Sequence, residues 1–323
     1  MKRILVTGAL GQIGTELVTK LRKTYGNENV IASDLSKNVL GVQSGPYETL
    51  NVLDAKRIGE LADKYKIDLI INLAALLSAV GEEKPQLLWS VNMGGLYSVL
   101  EVAREKGCAV FTPSSIAAFG SSTPADRTPQ DTIQRTTTIY GVSKVSGELL
   151  CDYYYNKFGV DTRGVRFPGL ISSEALPGGG TTDYAVHIYY AALQDHKYTC
   201  YIDRGTKMDM MYLPDALDAM LGLIEADPSK LCHRNAFNIT SMSFAPEDIY
   251  EEIKKHIPDF QMDYEVCPIR QKIADSWPNS LDDSAARAEW NWNPRYDLAA
   301  MTADMLEKLS VKLAVKKNSY KAG

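Results

Sequence analysis

Tyr140 and Lys144 are the residues of this sequence whose types and spacing could move a proton. They lie four positions apart in the helix-like segment TIYGVSKVSGELLCDYYY, so their side chains share one helix face. A free tyrosine hydroxyl has a pKa of about 10, but a nearby ammonium favours the phenolate, which can take a proton from an alcohol. Upstream, Ser115, with Ser114 beside it in TPSSIAAFG, could hydrogen-bond the same alcohol oxygen. The Y-x-x-x-K spacing alone is common and also occurs on ordinary surface helices.

A second candidate site is the segment TGALGQIG, which places Gly8, Gly11 and Gly14 between a short apolar run and a helical pattern. This is the context of a dinucleotide-binding turn, whose helix offers free N–H groups to a pyrophosphate. Asp34 ends the next apolar run, VIASD, twenty residues after Gly14. A carboxylate there can accept hydrogen bonds from a ribose and would repel a 2′-phosphate, so the pattern favours NAD over NADP. The other interpretation of Asp34 is a turn residue at a strand end.

Alternating strand and helix patterns must position these groups. The apolar runs RILVTG, NVIASD, LIINLAA and AVFTPSS alternate with amphipathic stretches such as GQIGTELVTKLRKTYG and AKRIGELADKYK. Continuous apolar strands that alternate with helices indicate a parallel sheet covered on both faces, and right-handed crossovers make it doubly wound. We therefore predict an α/β, doubly wound parallel-sheet Rossmann fold with a smaller C-terminal substrate lobe.

The alternation of strand and helix patterns ends near residue 168, where FPGLISSEALPGGGTTDY has the composition of a loop. Shorter helical patterns follow, notably PDALDAMLGLIEAD and PEDIYEEIKKHI. We expect residues 1–168 to form the main body of the NAD-binding domain. Residues 169–315 should form mainly the substrate lobe, with some segments returning to the first domain, and residues 316–323 a flexible tail. The three glycines at 178–180 are a candidate hinge for a lid.

Composition excludes several classes of function. The chain has 323 residues, 45% of them hydrophobic, a net charge of −5 and no run of basic residues, which argues against a nucleic-acid partner. No apolar stretch is long enough to span a bilayer, and the first strand pattern leaves no room for a leader peptide. The five cysteines are scattered without a C-x-x-C pair. We expect a protein of the reducing cytoplasm with no metal site.

The glycine spacing, NLAA, PSSIAAFG and Y-x-x-x-K together resemble the extended short-chain dehydrogenase/reductase family, which includes the UDP-galactose 4-epimerases. The resemblance covers nearly the whole chain, ending at DDSAARAEWNWNP. It implies catalytic roles for Ser115, Tyr140 and Lys144. It also implies that Asn92 supports the proton relay, with a helix-surface amide as the alternative.

The C-terminal half separates two groups within this family. Epimerase-like members usually carry R-D-[YF]-[IV]-H-V-x-D, whose arginine grips a diphosphate, whereas here GTKMDMMYLPDALDA puts Met208 in place of the arginine and Tyr212 in place of the histidine. A thioether cannot make a bidentate phosphate contact. Instead LLSAVGE, PGGGTTDYAV, MMYLPDA and IADSWPNSLDDSAAR closely resemble the short-chain L-threonine 3-dehydrogenases, which oxidise threonine to 2-amino-3-ketobutyrate.

This resemblance implies a set of contacts and an assembly. The expected substrate contacts are Ser78, Ser114, Ser115, Tyr140, Gly179, Thr181, Thr182 and Trp277. The expected NAD contacts are Gly8, Gly11, Gln12, Ile13, Gly14, Asp34, Asn51, Val52, Leu73, Ala74, Ala75, Asn92, Tyr140, Lys144, Phe167 and Leu170. Taken without the resemblance, Thr181 and Thr182 could simply cap a loop. Family members pair two long helices across a two-fold axis, which implies a homodimer. A nucleotide-sugar 4-epimerase or dehydratase, and a non-catalytic NAD-sensing regulator, are the alternative functions.

Overall fold

The structure, a computed structural model, describes residues 2–39, 41–176 and 178–321, with the side chains of 315–321 excluded. The tail predicted at 316–323 therefore lies outside the described side chains and stays a prediction. Within the described residues, no helix is both long enough and apolar enough to cross a membrane.

The first half of the chain alternates strands and helices, as predicted. Its elements are β1 Ile4–Thr7, α1 Gln12–Tyr25, β2 Val30–Asp34, β3 Tyr47–Thr49, α2 Ala55–Tyr65, β4 Leu69–Asn72, α3 Ser78–Glu83, α4 Pro85–Trp89, α5 Gly95–Lys106, β5 Ala109–Phe111, β6 Ser114–Ser115, α6 Ile139–Phe158, β7 Thr162–Arg163 and β8 Val165–Phe167. A π-helical turn at Ser90–Gly94 joins α4 to α5.

Six of these strands form one parallel sheet in the order β3-β2-β1-β4-β5-β7. Strands β1 and β4 are buried along their whole length, because helices cover both faces of the sheet. The order reverses between β1 and β4, so the crevice at the carboxyl ends of these two strands is where such a fold binds ligands. The predicted α/β doubly wound fold is confirmed.

Local signals set the helix boundaries around this sheet. The side chain of Asp54 caps α2 by accepting a hydrogen bond from the Arg57 N–H at 2.9 Å. Thr138 caps α6 in the same way, accepting from the Gly141 N–H at 3.0 Å. Helix α6 ends at Phe158, and its C-cap residue is Gly159, which has a φ of +71°.

The second half of the chain adds three small sheets and six helices among the described residues. Its elements are β9 Gly169–Ile171, α7 Tyr184–Gln194, β10 Lys197–Cys200, β11 Met208–Tyr212, α8 Leu213–Glu225, β12 Phe237–Asn238, β13 Met242–Phe244, α9 Pro246–Lys254, β14 Gln261–Tyr264, α10 Pro268–Ala274, α11 Ser284–Trp290 and α12 Leu298–Lys321. The small sheets have the orders β12-β8-β6, β13-β11-β9 and β10-β14. Residues of α8 and α11 share one hydrophobic cluster with β1 and α1.

Several strands do not follow from the sequence pattern, and two of them show why. The segment that starts at Phe167 was predicted to be a loop because of its Gly and Pro content, yet it contains β9, which pairs in parallel with β11. Strand β3 was also not predicted, and it forms the edge of the main sheet. Both strands are three residues long, and β9 depends on a partner about forty residues away, so neither carries a local periodic signal.

A buried ion pair holds α6 against strand β8. The Arg166 guanidinium donates to both carboxylate oxygens of Glu148, at 3.0 and 2.9 Å, and the two side chains are only 7% and 5% exposed. Ser114 and Gln134 also donate to this carboxylate. Arg166 further donates to Asn238 Oδ1 at 3.0 Å. The network therefore connects α6 to β6, β8 and β12.

Glu148→Ala should destabilise the fold by about 3–5 kcal/mol, because it leaves the Arg166 charge buried without a partner. Urea unfolding monitored by far-UV circular dichroism measures this change. Asp263→Ala is the matched control, since it breaks an exposed ion pair with Lys197 and should change the free energy of unfolding by less than about 1 kcal/mol. Equal effects of the two variants would show that the buried pair is not a structural anchor.

Candidate active site

A cleft of about 260 Å³ opens at the carboxyl ends of β1 and β4. Its walls come from both halves of the chain. The first half supplies the glycine turn and the start of α6, and the second half supplies β9, the turn at Thr181–Asp183 and Trp277. The cleft therefore brings the two candidate sites of the sequence, the glycine turn and the Tyr–Lys pair, into one space.

The glycine turn is packed so tightly that side chains cannot be accommodated. Gly8 has a φ of +66°, and a Cβ placed on it would lie 2.7 Å from the Ala74 nitrogen. A Cβ on Gly14 would lie 2.8 Å from the Ala9 backbone. Both spacings are shorter than real Cβ contacts, so α1 lies against the end of β1 only because these positions are glycine.

The turn has the properties of a pyrophosphate site. The first N–H groups of α1 have no partner within the helix, and no side chain caps this end. The side-chain amide nitrogen of Gln12 is buried without a hydrogen-bond partner, and Gln12 lines the cleft. A buried donor with no partner is rare, and an anion in the cleft would satisfy it. These groups fit a dinucleotide.

Asp34 folds back onto the glycine turn. Its carboxylate accepts hydrogen bonds from the Leu10 N–H at 3.1 Å and from the Leu35 N–H at 2.7 Å. The Ser36 N–H also approaches Oδ1, at 3.5 Å, whereas Oδ2 keeps a second lone pair that can accept a further hydrogen bond. Asp34 lies beside the turn but does not line the cleft itself.

The start of α6 presents Tyr140 and Lys144 to the cleft. The Lys144 ammonium donates to the Pro113 carbonyl at 2.8 Å and lies 5.4 Å from the centroid of the Tyr140 ring. Ser115 also lines the cleft, and its hydroxyl oxygen accepts a hydrogen bond from the Ala117 N–H at 3.2 Å. The Glu82 carboxylate accepts from the Ile139 N–H at 2.9 Å, which ties the start of α6 to α3.

Asn92 lies in the π-helical turn and contacts two segments. Its side chain accepts from the Leu76 N–H at 2.8 Å and donates to the Leu76 carbonyl at 3.1 Å. It also donates to the Ser143 hydroxyl at 3.3 Å, and that hydroxyl donates to the Tyr140 carbonyl at 2.7 Å. Asn92 thus fixes the segment after β4 relative to α6. A π-turn inside a helix is frequent at functional sites.

The far side of the cleft is rich in small polar groups. Ser78, Thr181 and Thr182 are buried and line it, and Trp277 contributes an aromatic wall. The Thr182 methyl lies so close to β9 that a Cβ on Gly169 would approach it to 2.7 Å. Ser114 also lines the cleft, but its hydroxyl donates to Glu148.

The predicted residues divide into three sets. Those that line the cleft are Gly8, Gly11, Gln12, Ile13, Gly14, Leu73, Ala75, Ser78, Ser114, Ser115, Tyr140, Lys144, Phe167, Leu170, Thr181, Thr182 and Trp277. Ala74 and Asn92 line an adjoining cavity of about 50 Å³ that shares Lys144 with the cleft. Asp34, Asn51, Val52 and Gly179 line neither space.

Other lining residues were not predicted from the sequence. They are Leu77, Pro113, Ile116, Pro168, Gly169, Gly180 and Asp183. Asp183 is 8% exposed, and its carboxylate accepts from the N–H groups of Gly179 and Gly180 at 2.9 and 2.6 Å. Burial raises the pKa of Asp183, while these hydrogen bonds act against the rise. The Gly-x-x-Asp spacing that precedes α7 is the signal that could have identified this residue.

Met208 and Tyr212 lie away from the cleft. Met208 is 1% exposed and belongs to the hydrophobic cluster of the second lobe. The Tyr212 hydroxyl donates to Asp304 at 2.6 Å, and its oxygen lies 3.2 Å from the Ser173 hydroxyl. Among the described residues that line the cleft, Lys144 is the only cation.

The sequence and fold are similar to those of known proteins. A sequence model of the NAD dependent epimerase/dehydratase family matches residues 4–240. A relative from Staphylococcus saprophyticus, described only as an uncharacterized epimerase/dehydratase, is 56% identical over 97% of this chain and 98% of its own length. The X-ray structure of an L-threonine dehydrogenase from Clostridium difficile is 63% identical, with a TM-score of 0.95, over 97% of this chain and 98% of that one. An L-threonine dehydrogenase from Phytophthora infestans is 51% identical, with a TM-score of 0.93, over 96% of this chain and 100% of that one.

These matches confirm the resemblance inferred from the motifs. The family description also names the dinucleotide predicted from the glycine turn and Asp34, so the prediction of NAD is confirmed. On the match over residues 4–240 and the similarity along almost the whole chain, the protein belongs to the NAD dependent epimerase/dehydratase family.

Proposed function

We propose that the protein oxidises the side-chain hydroxyl of L-threonine with NAD, giving 2-amino-3-ketobutyrate and NADH. One observation carries the choice of substrate. The cleft joins a glycine turn and a Tyr–Lys pair to a wall of hydroxyls and one tryptophan, and Lys144 is its only cation among the described lining residues. A nucleotide sugar needs a cationic grip on its diphosphate, whereas a small zwitterion does not. The similarity to two L-threonine dehydrogenases supports the proposal.

Each residue then has a distinct task. Tyr140 takes the proton of the substrate hydroxyl, and the positive charge of Lys144 stabilises the resulting phenolate. Ser115 donates a hydrogen bond to the same substrate oxygen. Thr181, Thr182 and Ser78 hold the amino acid head, and Trp277 gives the substrate methyl an apolar wall. When bound on the turn of Gly8, Gly11 and Gly14, NAD supplies the acceptor for the hydride from the substrate carbon.

The active form is proposed to be a cytoplasmic homodimer. The large apolar or aromatic side chains that are exposed on α4, α5 and α6 include Trp89, Tyr97, Leu149 and Tyr153, which are 43–62% exposed. A contiguous exposed apolar face is typical of a protein interface. All five cysteines are free, which supports a reducing compartment.

Tyr140→Phe should lower kcat by about 10²–10⁴-fold, because it removes the base and leaves the dinucleotide turn intact. Stopped-flow absorbance at the NADH band gives kcat, and quenching of protein fluorescence gives the Kd for NAD, which should not change. Tyr153→Phe is the control, since Tyr153 is an exposed tyrosine of the same helix. If Tyr140→Phe kept more than about a third of the turnover, Tyr140 would not be the base.

Asp34→Ala combined with Leu35→Arg should shift the preference from NAD towards NADP by about tenfold or more, since a charge-assisted hydrogen bond is lost and a phosphate partner is gained. Leu35 is 68% exposed beside Asp34, so an arginine fits there. The ratio of kcat/KM for the two cofactors measures the shift. Leu35→Arg alone is the control, because Asp34 would still repel the 2′-phosphate. A wild-type protein that already prefers NADP would contradict this role of Asp34.

The wild-type protein should oxidise L-threonine, and L-serine more slowly by about tenfold or more, because serine lacks the methyl that the apolar wall contacts. UDP-glucose and UDP-galactose should not react.

Thr182→Ala should raise KM for threonine and leave the Kd for NAD unchanged, whereas Thr182→Ser, which keeps the hydroxyl, should be affected less. Epimerisation of a UDP-sugar without threonine-dependent NADH formation would overturn the proposal in favour of a nucleotide-sugar epimerase. NAD binding with neither reaction would favour a non-catalytic sensor.

A further inference from the structure

A hydrogen bond joins the dinucleotide helix α1 to the chain that follows β9. The Ser172 hydroxyl donates to Glu16 Oε1 at 2.6 Å. Glu16 lies on α1, two residues after Gly14, and Ser172 lies two residues after Leu170, and both Gly14 and Leu170 line the cleft. The bond therefore connects α1 and the end of β9, two elements that each stand next to residues lining the cleft.

Ser172 also shapes the start of the segment 172–180. It is only 1% exposed, and its hydroxyl oxygen accepts from the N–H groups of Glu174 and Ala175 at 3.0 and 3.3 Å. Lys312 of α12 donates to the Ser173 carbonyl at 3.0 Å. The hydroxyl of Ser172 thus fixes the direction in which the chain leaves β9.

The far end of this segment reaches the substrate wall. Asp183 accepts from the N–H groups of Gly179 and Gly180, as described above, and the Arg270 guanidinium donates to the Gly180 carbonyl at 2.8 Å. Gly180 and the two residues that follow it line the cleft. Strand β9, which Ser172 follows directly, contacts Thr182, since a Cβ on Gly169 would lie 2.7 Å from the Thr182 methyl. A shift of Ser172 would therefore reach Thr182 through β9.

The environment of Glu16 makes its carboxylate depend on the hydrogen bond from Ser172. Burial raises the pKa of Glu16, while the Ser172 hydroxyl and the charges of Lys308 and Lys312 lower it. Glu174 adds a repulsive negative charge. A partly buried carboxylate depends on its hydrogen-bond donors, because water reaches it poorly. Loss of the carboxylate would therefore break the link between α1 and the residue that follows β9.

We propose that Glu16 is a positioning residue for the substrate, which acts through Ser172 to align the threonine-binding wall with the dinucleotide helix. The inference rests on the function proposed above. Because α1 carries both the pyrophosphate turn and Glu16, occupation of the turn and order at Ser172 and in the Thr181–Asp183 turn stabilise each other. Binding of NAD should then favour binding of the amino acid, and the coupling must be reciprocal.

The test compares Glu16→Ala with Glu16→Gln, whose amide oxygen can still accept from Ser172. Glu16→Ala should raise KM for L-threonine by about fivefold or more, the usual lower range for coupling between sites. The Kd for NAD measured without threonine, and kcat at saturating threonine, should both stay near wild type, since the glycine turn and Tyr140 are untouched. Glu16→Gln should restore most of the threonine affinity. Ser172→Ala should reproduce the effect of Glu16→Ala.

Lys20→Ala is the matched control. Lys20 lies one turn further along α1 and pairs with Asp218 of α8, so its loss removes a polar contact of the same helix that does not reach the segment. Amide hydrogen exchange in the NAD complex gives a second readout. Exchange at 173–180 should be faster in Glu16→Ala than in Lys20→Ala, with equal protection in β1.

The outcomes separate this inference from the proposed function. Wild-type protein that fails to oxidise threonine would refute the function, and the inference with it. Active wild-type protein with unchanged KM and unchanged exchange in Glu16→Ala would overturn the inference alone. A general loss of thermal stability with equal rises in the Kd for NAD and in KM would also overturn it, because it would indicate a structural role only.

Discussion

The close approach between the end of β1 and the end of β4 is the constraint on which the rest of the site depends. Gly8 has a positive φ and leaves no room for a side chain against Ala74, while Gly14 lets α1 pack onto the same turn. This contact occurs where the strand order reverses, so the two diverging connections leave a crevice between them. The unpaired N–H groups of α1 then face that crevice, and a pyrophosphate is the natural ligand for them.

The Tyr140–Lys144 pair proposed to react depends on a second constraint, which is the placement of α6. Its first turn is fixed by Thr138 and by Glu82, and its middle is fixed by the buried pair of Glu148 and Arg166. The helix is therefore held at several points along its length, and Tyr140 and Lys144 project from the held part. Such preorganisation matters because a proton transfer needs its groups within hydrogen-bond reach of the substrate.

The second half of the chain supplies the part of the cleft on which the proposed choice of substrate rests. Its strand β9 begins at Gly169, which lines the cleft. Ser172 follows the strand, and the Thr181–Asp183 turn lies further along the chain. Met208, in the position where epimerase-like relatives carry a diphosphate-binding arginine, is buried in the hydrophobic cluster of this lobe. The same architecture that could hold a nucleotide sugar thus presents hydroxyls, backbone groups and an indole, which suit a small zwitterion. Fold alone would not separate the two.

The sequence by itself determined the parallel α/β fold, the glycine turn, the Tyr140–Lys144 pair and the identity of the dinucleotide. These follow from short-range patterns: continuous apolar strands, glycines at a strand–helix junction and an i, i+4 pair on one helix. Only the tertiary structure decided that the Ser114 hydroxyl donates to Glu148 and that Glu16 meets Ser172. It also decided that β9 is a strand. Those facts depend on pairs of residues between 34 and 156 positions apart, or on a partner strand about forty residues away. Local periodicity carries no information about such contacts, because they arise from how the finished elements pack.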